Sequence, residues 1–323
     1  MASDPRNRSP RPGFVLNVDK QTPPLLFHHG DNFRLEKLPA DRTRVIYPAE
    51  PLPGLPDPEA AIRHALLEPI DDDPLPELLK PGMKLTIAFD DISLPLPSMR
   101  KPDIRQRIIE QVLDMAAAAG VDDVHLIAAL ALHRRMTEDE LRHALGDRVY
   151  DAFAPQGALY NHDAEDPDGM VELGRTRHDE AVTMNKRAAE SDLLIYVNLN
   201  IVSMDGGWKS TATGLSGYSG IKHHHNVKTM RESKSFMDRH NSELHHSNWR
   251  QGEVIKNHGP RIFQIETTIN NNTFGYDGAL SLLQKREWEW TAKDRITFMG
   301  MKKGLDLMPA SQRRQIFNGW KAP

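Results

Sequence analysis

The sequence predicts an α/β fold with a mainly parallel sheet, flanking helices and a small partial second domain. Three observations support this prediction: short apolar runs of strand length, amphipathic helical segments between them, and polar loops directly after each run. The chain has 323 residues, of which 39% are hydrophobic, so it can bury a substantial core.

The elements follow one another in an order typical of this class. Proline-rich stretches within the first 80 residues predict extended segments and a short helix. The run KLTIAF (84–89) then predicts a buried strand, 101–120 a helix, and DVHLIAALAL (123–132) a second strand. Such a strand, helix and strand unit implies a right-handed crossover and parallel pairing.

Local signals mark the ends of the predicted helices. In the first helix Pro102 falls in the first turn, where proline is tolerated, and Gly120 follows the last turn. The next helix has Thr137 as its N-cap with Glu140 three residues later, which forms a capping box, and Gly146 is expected to end it. A third strand is predicted over 192–198. The apolar residues that recur at helical spacing in the first helix are Ile104, Ile108, Ile109, Val112 and Met115.

Charge and composition argue against several classes of protein. The formal net charge is −4 and no arginine or lysine cluster stands out, so we expect no nucleic-acid partner. The absence of cysteine excludes disulfides and thiolate metal ligands. No apolar run approaches membrane-spanning length, and the N-terminal residues have no apolar stretch after their charges. We therefore expect a cytoplasmic protein, without membrane contact, whose partner is a small molecule.

Polar residues follow the three predicted strands. Asp91 comes after the first strand, His133 after the second, and Lys209 lies in the loop after the third. The carboxyl ends of parallel strands meet at one edge of a sheet, where ligands gather. We therefore expect these three side chains to share one site.

Two phosphate-handling sites do not fit these loops. A phosphate-binding loop requires glycine directly before its lysine, but Trp208 precedes Lys209. An aspartate pair for phosphoryl transfer needs carboxylates two residues apart, whereas Asp90 and Asp91 are adjacent and point to opposite faces of an extended segment. A zinc site stays open as an alternative, since the chain is rich in histidine in the region 223–258.

Taken together, the loops resemble the nickel-dependent lactate racemase family over roughly residues 80–275. The first is DDISLPLPS, which resembles the family's D-x-T-R-P-x-P loop and places Asp91 and Ser93 on its aspartate and hydroxyl positions. The second is ALALHRRMTEDELRHALG, which is similar to a segment beginning A-x-G-x-H-R and places His133 on a catalytic histidine. The third is GGWKSTATGLSGYSGIKHHHN, which resembles a G-G-x-K-x-x-x-P-G stretch with a downstream histidine.

The resemblance implies a nickel-pincer nucleotide, pyridinium-3,5-bisthiocarboxylic acid mononucleotide nickel. In the family a lysine lies beside this cofactor or is joined to it, and a histidine sixteen positions later binds its nickel; Lys209 and His225 have that separation. A neutral imidazole suits the one in-plane position that the pincer leaves open on a square-planar nickel. Gly206, Gly207 and Gly214 are expected to let the backbone approach the cofactor.

The resemblance also implies a histidine base that takes the hydroxyl proton of a 2-hydroxy acid, and His133 is the candidate. The family's second catalytic histidine lies about ten positions before the lysine, where this chain has Leu199 between two asparagines. The family's substrate-holding arginine is Leu94 here. We therefore expect a substrate other than lactate, with His162 or a histidine of the run 223–225 as the replacement base.

The remaining expectations concern the rest of the cleft and the extent of the domains. Arg134 and Arg135 are candidate cations for the substrate carboxylate. Compared with the family the chain ends early, so we expect an N-terminal α/β domain over 1–260 and a shortened C-terminal region over 261–323, with a second protomer or a partner subunit completing the cleft.

Three functions stay open from the sequence. The first is an isomerase, that is, a racemase, epimerase or related hydride-shuttling enzyme acting on a 2-hydroxy acid. The second is a cofactor-binding accessory or inactive subunit of such an enzyme. The third is a zinc-dependent hydrolase.

Overall fold

A computed structural model describes residues 14–47, 52–92, 99–269 and 280–313 of the chain. The strands, in chain order, are β1 (Phe14–Asn17), β2 (Leu25–His29), β3 (Asn32–Glu36), β4 (Arg44–Tyr47), β5 (Lys84–Asp90), β6 (Asp123–Ala129), β7 (Leu159–Asn161), β8 (Met170–Arg175), β9 (Ala181–Asn185), β10 (Leu193–Asn200) and β11 (Arg261–Thr268). The α-helices are α1 (Pro58–Leu67), α2 (Leu75–Leu78), α3 (Ile104–Ala118), α4 (Glu138–Phe153), α5 (Lys186–Ala189), α6 (Trp208–Gly214), α7 (Tyr218–Ile221), α8 (Val227–Glu232), α9 (Glu243–His258) and α10 (Ala292–Leu307).

The chain divides into two compact units. The larger unit consists of Leu55–Leu94 and Met99–Ile269, and the smaller unit of Met1–Gly54, Pro95–Ser98 and Asn270–Pro323. The larger unit therefore contains every element from α1 to β11.

A five-stranded sheet in the order β11, β10, β5, β6, β7 forms the centre of the larger unit. Each neighbouring pair of these strands runs parallel. The sheet confirms the predicted α/β class. Strands β8 and β9 form a separate antiparallel hairpin in the same unit.

The sheet is apolar on both faces because helices cover both. In β5, Leu85, Ile87 and Phe89 pack on one side with α1 to α4, while Ala88 faces the other side with β9, α5, α6 and α9. Strand β10 alternates in the same way along its length. This two-sided burial is what the continuous apolar runs of a parallel sheet require.

The ends of α3 are set by local chemistry. The Asp103 side chain accepts a hydrogen bond from the Arg105 amide at the first turn, and Gly120 follows the last turn with a φ of 72°. A positive φ of this kind favours glycine, since it has no Cβ to clash with the backbone.

Helix α4 consists of two helical segments that meet at Gly146. The first segment ends at this glycine, as the sequence predicts, because the backbone there is not helical (φ 78°, ψ 159°), and a second segment continues from it to Phe153. A Cβ at this position would lie 2.4 Å from the Gln106 side chain of α3. The glycine therefore ends the first segment and also lets α3 and α4 pack closely.

The domain boundary expected at residue 260 also differs from the structure. Residues 261–268 form β11, whose whole length pairs with β10, so they belong to the larger unit. Sequence patterning missed this because β11 is an edge strand with several exposed polar residues, among them Arg261 and Glu266.

The smaller unit joins segments from both ends of the chain. Its hairpin of β2 and β3 packs against α10, where Phe33 makes an edge contact with Phe298 and Leu282 and Trp290 complete a small core. The Leu26 amide donates to the Glu287 carboxylate at 2.6 Å. In the described part of the chain, no helix combines the length and the apolar character needed to cross a bilayer.

Candidate functional site

The carboxyl edge of the sheet gathers the charged side chains that the sequence singled out. Asp91 lies directly after β5, His133 follows β6, and Lys209 is in the first turn of α6, after β10. Lys209 influences the pKa of both His133 and His225, and His133 influences that of His225. The structure therefore brings these side chains into one electrostatic cluster.

Asp91 and His133 form a directly bonded pair. Nδ1 of His133 lies 3.0 Å from Oδ2 of Asp91, with the aspartate side chain 10% exposed and the imidazole 50% exposed. The Asp91 hydrogen bond raises the pKa of His133 above its ordinary value. Because Nδ1–H donates to the carboxylate, Nε2 is the basic nitrogen of the ring. The pair is suited to taking a proton from a ligand bound at this edge of the sheet.

The neighbouring Asp90 points the other way, into the protein. Its Oδ1 accepts from the Tyr196 hydroxyl at 3.0 Å and its Oδ2 from the Leu199 amide at 2.7 Å. Burial raises its pKa to about 6. Asp90 thus ties the end of β5 to the end of β10, and the opposite directions of Asp90 and Asp91 agree with the sequence analysis.

Lys209 is held by an acidic residue one turn earlier. Its Nζ lies 2.9 Å from Oδ1 of Asp205, while Oδ2 of Asp205 accepts from the amides of Ile201 and Val202, each at 3.0 Å. The lysine side chain is 25% exposed. The cation is therefore partly accessible, and the loop before it is fixed by its counter-ion.

Glu266 organises the same loop, although no motif in the sequence points to it. Its carboxylate accepts from the side-chain amides of Asn198 at 2.6 Å and Asn200 at 2.8 Å, and from the Gly207 backbone amide at 2.8 Å. Both asparagines flank the position where the second histidine of the resembled family would fall. The signal that could have revealed Glu266 is its place at the carboxyl end of an edge strand.

The glycines near Lys209 are required for different structural reasons. Gly206 and Gly207 have φ values of 86° and 57°, which favour glycine, and a Cβ on Gly206 would lie 2.6 Å from Glu266. Gly214 instead allows α6 to approach the sheet, since a Cβ there would lie 2.5 Å from the Tyr196 hydroxyl. The first two shape the loop beside Lys209, and Gly214 has a packing role.

His225 contacts the preceding histidine. The Nδ1 atoms of His225 and His224 are 2.7 Å apart, a separation that requires one N–H between them. His224 is 1% exposed, and burial lowers its pKa to about 3. His225 is exposed, with its pKa lowered by partial burial and by the charge of Lys209. His225 thus presents a neutral imidazole to the cluster.

Helix α9 supports the helix that carries Lys209. Trp208 packs so closely on Gly252 of α9 that a Cβ there would lie 2.2 Å from the indole ring. Helix α9 is held in turn by Glu180, which precedes β9 and receives both Nε (2.8 Å) and Nη2 (2.6 Å) of Arg250. The hydroxyls of Thr176 and Ser247 also donate to Glu180, each at 2.7 Å.

His162 does not join the cluster. It is 2% exposed, its Nε2 lies 3.0 Å from the Ser216 carbonyl oxygen, and its Nδ1 lies 3.3 Å from the Asn185 amide. With Nε2–H donating and Nδ1 accepting, the ring is neutral and both nitrogens are engaged, and burial lowers its pKa. This geometry supports a structural role for His162 in place of the expected role as a base.

The other residues expected at the site differ in what the structure shows of them. Arg134 makes a bidentate pair with the fully buried Glu140, at 2.6 and 2.8 Å. Arg135 pairs with Asp163 but is 69% exposed, so it is the more accessible of the two cations. Ser93 lies outside the described residues, as does Leu94. The alternative of a zinc site has no support within the described ranges, where no group of three or more histidine, aspartate or glutamate side chains could hold a metal ion.

The chain is similar in sequence and in fold to known proteins. The profile of the family described as "Lactate racemase N-terminal domain" matches residues 29–238. The chain is 25% identical to the lactate racemase of Lactiplantibacillus plantarum over 181 residues, a match that covers 55% of this chain and 40% of that protein. The chain thus spans less than half the length of this curated relative.

Two solved structures share the fold. The lactate racemase apoprotein of Thermoanaerobacterium thermosaccharolyticum aligns with a TM-score of 0.58 at 19% identity, over 77% of this chain and 57% of that one. A Thermotoga maritima protein from a structural genomics consortium aligns with a TM-score of 0.51 at 17% identity, over 67% of this chain and 52% of that one. At these identities the alignments establish the architecture only.

Proposed function

The chain belongs to the lactate racemase N-terminal domain family, and from this premise we propose that it is a racemase, epimerase or related hydride-shuttling enzyme that acts on a 2-hydroxy acid with a nickel-pincer nucleotide. The observation that carries the proposal is the Asp91–His133 pair, which lies in the same electrostatic cluster as Lys209 and His225. A base, a cation and a neutral imidazole at one sheet edge are the side chains such a reaction needs.

The tautomer of His225 supports its role as the nickel ligand. Nε2 of the buried His224 has no hydrogen-bond partner of normal geometry, but the Ala212 carbonyl lies close enough to favour a proton there. Nδ1 of His224 then accepts from Nδ1–H of His225, and the lone pair of His225 is on Nε2. Metal-binding histidines are commonly oriented by such a bond on their other nitrogen.

The residues around Lys209 fit a large anionic cofactor. Lys209 supplies an accessible ammonium, and the positive φ values of Gly206 and Gly207 keep the adjacent backbone free of side chains. When bound, the cofactor would accept a hydride from the substrate carbon and return it. To contact the cofactor, Lys209 must give up at least part of its bond to Asp205.

The protein's own contribution is the movement of one proton. Nε2 of His133 takes the substrate hydroxyl proton, and Asp91 stabilises the imidazolium that forms. On the opposite face, Asn198 and Asn200 cannot act as bases, and both are bound to Glu266. General-base help is therefore proposed for one face of the substrate only.

The substrate is proposed to differ from lactate. Of the replacement bases expected from sequence, His162 and His224 are buried, whereas His223 is partly exposed. Arg135 is the accessible candidate for the substrate carboxylate, by fork-like hydrogen bonding. We also propose that a second protomer or a partner subunit completes the cleft.

The first experiment measures cofactor binding. The chain is co-expressed with the enzymes that make the nucleotide, and nickel content, pyridinium absorbance and intact mass are recorded. We expect nickel in the wild type and its loss in Lys209→Ala and His225→Ala, both of which remain folded by circular dichroism. Lys222→Ala and His223→Ala are matched controls that keep the nickel. Equal nickel in all five proteins would contradict the proposal.

The second experiment separates an enzyme from an accessory subunit. A 2-deuterated hydroxy acid is incubated with the loaded protein, and deuterium in the cofactor is measured by mass spectrometry. We expect incorporation from one enantiomer and its loss in His133→Ala. A loaded protein that incorporates no deuterium from any of a panel of 2-hydroxy acids would favour the accessory role.

A further inference from the structure

A buried arginine lies beneath the strand end that carries the Asp91–His133 pair. Arg105, in the first turn of α3, is 1% exposed. Its Nε donates to Oδ1 of Asp103 at 3.0 Å and its Nη2 to Oδ2 of Asp103 at 2.8 Å. Its Nη1 donates to the backbone carbonyls of Asp90 at 2.8 Å and Asp91 at 3.1 Å. The guanidinium thus joins the start of α3 to the end of β5.

These bonds fix the backbone where the two aspartates diverge. On one side the Asp90 carboxylate accepts hydrogen bonds from Tyr196 and Leu199. On the other side Arg105 donates to the backbone carbonyls of Asp90 and Asp91. With both sides fixed, the Asp91 side chain is directed towards His133, whose Nδ1 lies 3.0 Å from its Oδ2.

Stability alone is a weak explanation for this arrangement. A buried ion pair is often no more stabilising than apolar side chains of similar volume, because both charges lose their hydration. A lysine would also provide the charge, but it is a single point donor without a planar fork. The contacts use four of the five N–H groups of the fork, since Nε and Nη2 each donate to Asp103 and Nη1 donates to two successive carbonyls.

We infer that Arg105 is a positioning residue for the Asp91–His133 pair, acting through the backbone of Asp90 and Asp91. The inference rests on the proposed function in that it concerns the pair assigned there as the base. Arg105 itself is buried behind the strand end, so its effect reaches His133 only through the direction of Asp91.

The test is the titration of His133, followed by NMR of its ring protons in the cofactor-free protein. The charges acting on this ring are those of Asp91, Lys209, Asp90 and His225. Asp91→Asn gives the reference, and it lowers the pKa of His133. We expect Arg105→Lys to produce at least half of that decrease. Arg107→Lys, on a partly exposed arginine of the same helix that pairs with Glu59, is the matched control and leaves the titration unchanged.

A second variant tests the same inference if Arg105→Lys does not fold. The double change Asp103→Asn and Arg105→Met removes both charges and keeps an N-cap oxygen for α3, so it leaves no buried charge unpaired. It is expected to lower the pKa of His133 in the same way. An unchanged titration in a folded variant would overturn the inference, and so would the failure of both variants to fold, because the pair would then hold the whole unit.

The outcome is independent of nickel and of turnover. A protein that binds no pincer nucleotide can still show the dependence of His133 on Arg105, in which case only the proposed function fails. Conversely, an active enzyme whose His133 titration ignores Arg105 would leave the function intact and remove the positioning role.

Discussion

Replacing Glu180 with glutamine is expected to destabilise the larger unit strongly, because Glu180 holds helix α9 in place. The Glu180 side chain is 8% exposed and is bound by Arg250, Ser247 and Thr176. These hydrogen bonds outweigh the cost of burial and lower its pKa from 4.5 to about 2. At about 1.4 kcal/mol per pKa unit, this corresponds to roughly 3 kcal/mol of stability at neutral pH.

The pH dependence has a definite sign. Because the pKa of Glu180 is lower in the folded protein than in the unfolded chain, its contribution is complete above pH 4.5 and is lost as the pH falls towards about 2. Removing one partner of a buried pair typically costs about 3–5 kcal/mol, which agrees with the pKa argument.

Urea unfolding followed by circular dichroism measures the effect. Glu172→Gln is the matched control, because it makes the same chemical change in the same hairpin, next to Arg175, with a side chain that is 49% exposed. Such an exposed pair is worth about 0–1 kcal/mol. Glu172→Gln keeps Glu180 and should lose stability between pH 4.5 and 2 as steeply as the wild type. The prediction is refuted if Glu180→Gln costs no more than Glu172→Gln at pH 7, or if Glu180→Gln also loses stability between pH 4.5 and 2 as steeply as the wild type.

The remaining predictions concern the cleft. Because Asp91 raises the pKa of His133, kcat/KM of the loaded enzyme should rise with pH through a midpoint above 6.5, and Asp91→Asn should move that midpoint down. Lactate enantiomers should interconvert about 10²–10⁴-fold more slowly than with a base on both faces, since the amides bound to Glu266 cannot take a proton; family-like rates would contradict this. His224→Phe should remove the bond that selects the His225 tautomer, so ¹⁵N shifts of that ring should change, whereas His223→Phe should leave them unaltered.

The central fold could be predicted because its signals are local. Apolar runs of strand length gave β5, β6 and β10, and a capping box placed the start of α4 at Thr137. The break at Gly146 could be predicted in the same way, but the close approach of Gln106 to this glycine could not, because it depends on another helix. A glycine in a helical pattern carries the same local signal whether it ends the helix or permits packing.

Parts of the site could likewise be anticipated from the position of residues after strands. Asp91, His133 and Lys209 gather because parallel strands end at one edge. The roles of Glu266 and Arg105 could not be predicted from the sequence. The partners of Glu266 lie far from it in the sequence, and Arg105 binds backbone carbonyls. His162 was expected to be a possible base for a related reason. Only the folded protein shows that both of its ring nitrogens have hydrogen-bond partners.

The smaller unit has a consequence for the order of events during synthesis. Its hairpin of β2 and β3 leaves the ribosome first, but the residues that cover it, including Trp290 and Phe298, come from the other end of the chain. A two-stranded hairpin without such cover is marginally stable in water. Strands β2 and β3 therefore lack the residues that cover them while residues 55–269 are synthesised, and the larger unit can fold before they do. Hydrogen-exchange labelling of a released chain that ends at residue 269 should find α3 and α9 protected and β2 still open.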